Sequence, residues 1–83
     1  MVEKKTQIGF AGGLEERPIA VLVQKASQFE SSVYLKSGNR TVNAKSIMGV
    51  MGMGLKSGDD VAVVTDGSDE AEAADEIIRY LEA

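Results

Sequence analysis

Apolar and polar positions recur along this chain with the period of strands in some segments and of helices in others. Between Val2 and Phe10 the even positions Val2, Thr6, Ile8 and Phe10 suit one face of a strand, with Lys4 interrupting the pattern. Ala11-Gly12-Gly13 breaks the regularity, and Pro18 stands where the first turn of a helix tolerates proline. Ile19, Leu22, Val23 and Ala26 then repeat at i, i+3, i+4 and i+7, while Gln24, Lys25 and Gln28 face elsewhere, which predicts an amphipathic helix. Val33 and Leu35 alternate with Ser32, Tyr34 and Lys36, and Ser37-Gly38-Asn39 supplies turn chemistry before Thr41-Val42-Asn43, so a β-hairpin is expected.

Ser46 is a good helix N-cap for a short segment, Ile47 to Met53, that is apolar on nearly every side apart from Gly49 and Gly52. Gly54 and Ser57-Gly58-Asp59-Asp60 end it. Val61-Ala62-Val63-Val64 is an uninterrupted apolar run rich in β-branched residues, the pattern of a strand in the middle of a sheet. After Asp66-Gly67-Ser68, the stripe Ala74, Ile77, Ile78 and Leu81 predicts a last helix, with Asp69, Glu70 and Glu72 near its positive end and an Asp75–Arg79 ion pair at i, i+4. The order strand, helix, strand, strand, helix, strand, helix predicts an α+β fold, a two-layer open-faced sandwich in which three helices cover one face of a four-stranded, mainly antiparallel sheet. At 83 residues the chain is expected to form a single domain over residues 1–83 with one modest core.

Composition narrows the chemistry. The chain has no cysteine and no histidine, which removes thiolate metal sites, disulfides and the side chain that ordinarily serves as a neutral-pH base. With a formal net charge of −4 and lysines that are scattered, direct nucleic-acid binding is disfavoured. No apolar stretch has the length of a secretory signal or a membrane span, so a cytoplasmic location is expected. Gly49, Gly52 and Gly54 lack the order of a dinucleotide fingerprint and have no Gly-Lys-Ser/Thr ending, and Asp66, Asp69, Glu70 and Glu72 lack calcium-loop spacing and sit where acidic helix-capping residues belong. No cofactor or metal is called for.

Two features stand out instead. A short helix that is apolar nearly all round cannot turn every face inward in so small a domain, and Met48 and Met51 are neighbours at i, i+3, so one apolar face is expected at the surface. Flexible methionines suit a surface that accepts partners. Ile47 and Val50 fit either core or contact. Arg17 lies near a helix start, where the dipole disfavours a cation, so an anion should compensate it.

Gly13-Leu14-Glu15-Glu16-Arg17-Pro18 resembles the active-centre turn of the HPr family of small phosphocarrier proteins, and Val42-Asn43-Ala44-Lys45-Ser46-Ile47-Met48-Gly49-Val50-Met51 resembles that family's regulatory segment. The separation of the segments and the order of elements agree with the family over essentially the whole chain. In that family the third position of the first motif is the histidine that carries phosphate from enzyme I; here it is Glu15. The resemblance is therefore to the relatives that lack the histidine and act in carbon catabolite repression. It implies phosphorylation of Ser46 by HPr kinase/phosphorylase, binding of the phosphorylated form to catabolite control protein A as a corepressor, contact through Ile47, Met48 and Met51, and a phosphate-recognition role for Arg17.

It implies no catalytic residue in the chain itself. The alternatives are phosphotransfer through a Glu15 acyl phosphate, which the charge of the ionised carboxylate opposes, and a plain protein-binding α+β domain. Glu15 itself either imitates a phosphorylated histidine, with Arg17 beside it, or only prevents phosphotransfer.

Overall fold

A computed structural model describes residues 1–13 and 16–83, with Glu16 placed by its backbone alone. The elements are β1 (Val2–Gln7), α1 (Glu16–Ser27), β2 (Ser32–Ser37), β3 (Arg40–Asn43), α2 (Ile47–Met51), β4 (Asp60–Asp66) and α3 (Glu70–Leu81). The strands form one four-stranded sheet in the order β1-β4-β2-β3. Every pairing is antiparallel, with Val63 opposite both Lys4 and Leu35, and Leu35 opposite Val42. The predicted architecture is the one observed.

β4 is central, and all of Val61 to Thr65 is buried. Its inner positions Val61 and Val63 join Val33 and Leu35 of β2 beneath Ile19, Leu22 and Ala26 of α1, Val50 of α2, and Ala73, Ile77 and Leu81 of α3. The helical stripes are thus the faces that meet the sheet. Between β2 and β3, Ser37 pairs with Arg40, and Gly38 takes φ 61°, the left-handed backbone a two-residue hairpin turn needs at its first position.

Four expectations need correction. β1 ends at Gln7 instead of continuing to Phe10. Beyond it Ile8 stays buried, but its N–H bonds to the Asp59 carbonyl and the Gly9 N–H to the Leu81 carbonyl, so the chain leaves the sheet to pass the end of α3. A side chain at Gly9 would put its Cβ against the Glu82 carbonyl oxygen. α2 ends at Met51 instead of Met53, because Gly52 is its C-cap and the Met53 N–H closes a tighter turn on the Val50 carbonyl.

The predicted Asp75–Arg79 pair is replaced. Asp75 accepts from Lys4 Nζ of β1 at 2.7 Å, and Arg79 reaches Glu76 at 3.3 Å. This also accounts for the lysine that broke the β1 pattern: at the sheet edge its stem runs along the inner face and its ammonium ends on α3. Asp69, at the N-cap position of α3, makes no side-chain cap. Its carboxylate instead accepts from the Glu30 and Ser31 N–H groups at 3.0 Å and from the Ser31 hydroxyl, tying the α1–β2 connection to the start of α3. Glu70 takes the Gly67 N–H and the terminal amine of Met1. No helix is long and apolar enough to cross a membrane among the described residues.

Candidate functional site

The segment before α2 is held at several points. Asn43 closes β3, and its side-chain oxygen accepts from the Lys45 N–H at 2.8 Å while its carbonyl accepts from the Ser46 N–H at 3.0 Å, a turn that asparagine favours. Ala44 is buried and bonds through its N–H to the Val33 carbonyl. Lys45 extends back to the end of α1, donating to the Phe29 carbonyl at 2.8 Å.

Ser46 follows in an extended conformation (φ −113°, ψ 114°), and its Oγ accepts from the Gly49 N–H at 3.2 Å. It is the N-cap that the sequence predicts. The first turn of α2 contains no acidic side chain. Apart from the Gly49 N–H, which the cap satisfies, the N–H groups that open this turn carry the positive end of their dipoles with no acidic side chain in the turn to neutralise them.

One side of α2 is core and the other is bare. Val50 is 1% exposed, whereas Ile47, Met48 and Met51 are 47%, 81% and 50% exposed. The surface apolar face expected from the sequence is present, and the open choice between Ile47 and Val50 resolves with Val50 inside. α2 packs against α1 and β3. Its far end is held by Arg40, whose Nη1 donates to the Gly52 carbonyl at 2.9 Å. Ser46 and the three exposed side chains thus share one short helix anchored at both ends.

Arg17 is exposed in the first turn of α1, the helix adjoining α2. The neighbouring Pro18 carbonyl accepts from the Tyr80 hydroxyl at 3.2 Å, and the Tyr80 ring packs edge-on against Phe10 with centroids 5.1 Å apart, so α3 braces the start of α1. Leu14 and Glu15 lie outside the described residues, and with them the position that the resemblance assigns to the phosphohistidine.

Among the described residues no group of His, Cys, Asp or Glu is arranged to hold a metal ion. A depression of about 540 Å³ lies between Lys5, Gln7, Asp60 and Glu82, and α2 does not line it. The anchors Arg40, Lys45 and Tyr80 were not singled out from the sequence. Their partners lie 12, 16 and 62 positions away, and no local spacing signals such contacts.

A family model described as the PTS HPr component phosphorylation site matches residues 2–83. The chain is 40% identical over 82 residues to the HPr-like protein Crh of Halalkalibacterium halodurans, covering 99% of this chain and 98% of that protein. The crystal structure of the phosphocarrier protein HPr from Bacillus anthracis is similar with a TM-score of 0.94 and 38% identity, covering 96% of this chain and 95% of that one. The crystal structure of Bacillus subtilis Crh, a dimer with a swapped domain, has a TM-score of 0.80 and 39% identity, covering 99% of this chain and 94% of that one.

Proposed function

This chain belongs to the HPr family, and from that premise we propose that it is a serine-phosphorylated regulatory member of the family with no phosphocarrier or enzymatic activity of its own. HPr kinase/phosphorylase phosphorylates Ser46 using ATP, and the phosphorylated form binds catabolite control protein A as a corepressor in carbon catabolite repression. The domain spans residues 1–83 and works in the cytoplasm without a cofactor. One observation carries the reading: Ser46 caps a helix whose adjoining face exposes Ile47, Met48 and Met51.

The chemistry fits a switch at that place. A phosphoryl group on Ser46 Oγ adds about −1.5 to −2 charges beside the free N–H groups of α2, where a negative charge is favoured. It also offers oxygens that arginines on a partner hold in bidentate fashion. The apolar face next to it supplies contact area, and Arg17 on the adjoining helix supplies a cation for an acidic group of the partner. Phosphohistidine chemistry has no acceptor here, since the chain contains no histidine.

The test is incubation with HPr kinase/phosphorylase and ATP, location of the phosphate by mass spectrometry, and titration of both forms against catabolite control protein A. The reading requires phosphate on Ser46 and tighter binding after modification. Equal binding by the two forms overturns it. In a parallel reaction, phosphoenolpyruvate and enzyme I should leave the chain unlabelled, and stoichiometric label on Glu15 would instead establish the carrier alternative.

A further inference from the structure

The sulfur atoms of α2 are distributed unevenly between its two faces. Met48 and Met51, at i, i+3, are 81% and 50% exposed, whereas the buried side of the helix is supplied by Val50. The chain has four methionines and no cysteine, so thioethers are its only sulfur centres. Of the others, Met53 is half-buried against the core, and Met1, 78% exposed, lies by Tyr34, Lys36 and Thr41 at the sheet surface.

We propose that Met48 and Met51 are a peroxide-sensitive modification site, at which conversion to methionine sulfoxide turns the face beside Ser46 from apolar to polar and weakens its hold on the partner. The inference rests on the reading of that face as a docking surface. In the chemical step a thioether lone pair attacks one oxygen of hydrogen peroxide, an S–O bond forms and the O–O bond breaks. The sulfur is oxidised by two electrons, and the departing hydroxide takes a proton to leave as water. Methionine sulfoxide reductase reverses the change, with a dithiol oxidised to a disulfide and the oxygen lost as water.

Accessibility sets which sulfurs react, and the architecture decides what the reaction does. A sulfoxide oxygen is a strong acceptor that must shed its water when a partner covers it, so docking weakens. The fold is spared because the buried face of α2 contains Val50, which peroxide leaves intact. Ile47 stays apolar, so the surface is weakened and not abolished. This control acts on the same affinity as the Ser46 phosphate by a separate route, the phosphate through charge and the oxidation through apolar contact.

The experiment treats the full chain, phosphorylated on Ser46, with graded hydrogen peroxide and follows each methionine by peptide mass spectrometry. Affinity for catabolite control protein A and the thermal midpoint are measured at every stage. Met48 and Met51 should oxidise ahead of Met53, and affinity should fall about ten-fold with little change in the thermal midpoint. Methionine sulfoxide reductase with dithiothreitol should restore it. In the M48L/M51L variant, whose leucines keep apolar volume without sulfur, peroxide should leave that variant's own affinity unmoved even as Met1 oxidises.

Oxidation of Met53 at the rate of Met48 overturns the site. Unchanged affinity after oxidation, or an equal loss in M48L/M51L, overturns the switch. If the untreated phosphoprotein does not bind at all, the docking reading fails and the switch falls with it, while the order of oxidation still decides the modification site.

Discussion

Lys4 Nζ lies 2.7 Å from Asp75 Oδ1, joining the edge strand β1 to α3 across 71 positions of sequence. The hydrogen bond from Lys4 and its charge hold the Asp75 carboxyl below the usual aspartate range. A lowered folded-state pKa means that the stabilisation is complete above the ordinary aspartate value, about pH 4, and is lost as pH falls through the folded value. Lys4→Met, which keeps the stem without the charge, should lower stability slightly near neutrality and leave a shallower acid limb. Denaturation midpoints from pH 7 down to 2 measure this. An acid limb as steep as in the unsubstituted protein would show that the pair contributes nothing.

Asp69 presents the same sign from a different cause. The Ser31 hydroxyl first, then the Glu30 N–H, lower its pKa, so its contribution too is present above about pH 4 and fades below it. Because those bonds tie the α1–β2 connection to α3, Asp69→Ala should speed amide hydrogen exchange at Glu30 and Ser31 more than at Gly49. Uniform acceleration across the chain would point to global destabilisation instead.

Ser46 has two roles that substitutions separate. Ser46→Ala removes the acceptor for the Gly49 N–H and should cost about 1 kcal/mol of stability in chemical denaturation, along with all phosphorylation. Ser46→Asp keeps a capping oxygen and adds a negative charge at the positive end of α2, so it should regain the stability without becoming a kinase substrate. Equal stability of all three proteins would mean that the cap is not a source of stability.

The two faces of α2 should respond oppositely to truncation. Val50→Ala opens space in the core and should destabilise by about 2 kcal/mol. Met48→Ala, at an exposed site, should change stability by less than about 0.5 kcal/mol while weakening binding of the Ser46-phosphorylated protein to catabolite control protein A. Denaturation and titration of the same two variants check both statements, and unchanged binding by Met48→Ala would remove that side chain from the contact surface.

Much of this protein was legible in its sequence because local patterns report on local structure. The i, i+3, i+4, i+7 stripes of α1 and α3, the β-branched run of β4 and the Ser37-Gly38-Asn39 turn all stand where periodicity and turn chemistry place them. Ser46 as the cap of α2 follows from its side chain alone, and the exposed methionine face follows from counting apolar sides on a helix too small to bury them. The absence of histidine is likewise a property of composition.

Only the tertiary structure decided the partners of Lys4, Arg40, Lys45 and Asp69, and which of Ile47 and Val50 faces inward. It also moved Asp75 from the predicted Arg79 to Lys4, and turned Asp69 from a presumed helix cap into a tie between two loops. The reason is common to all of them. A charged or hydrogen-bonding side chain takes the best partner within its reach, and which groups come within reach depends on how the sheet is ordered and how the helices are laid on it, not on spacing along the chain.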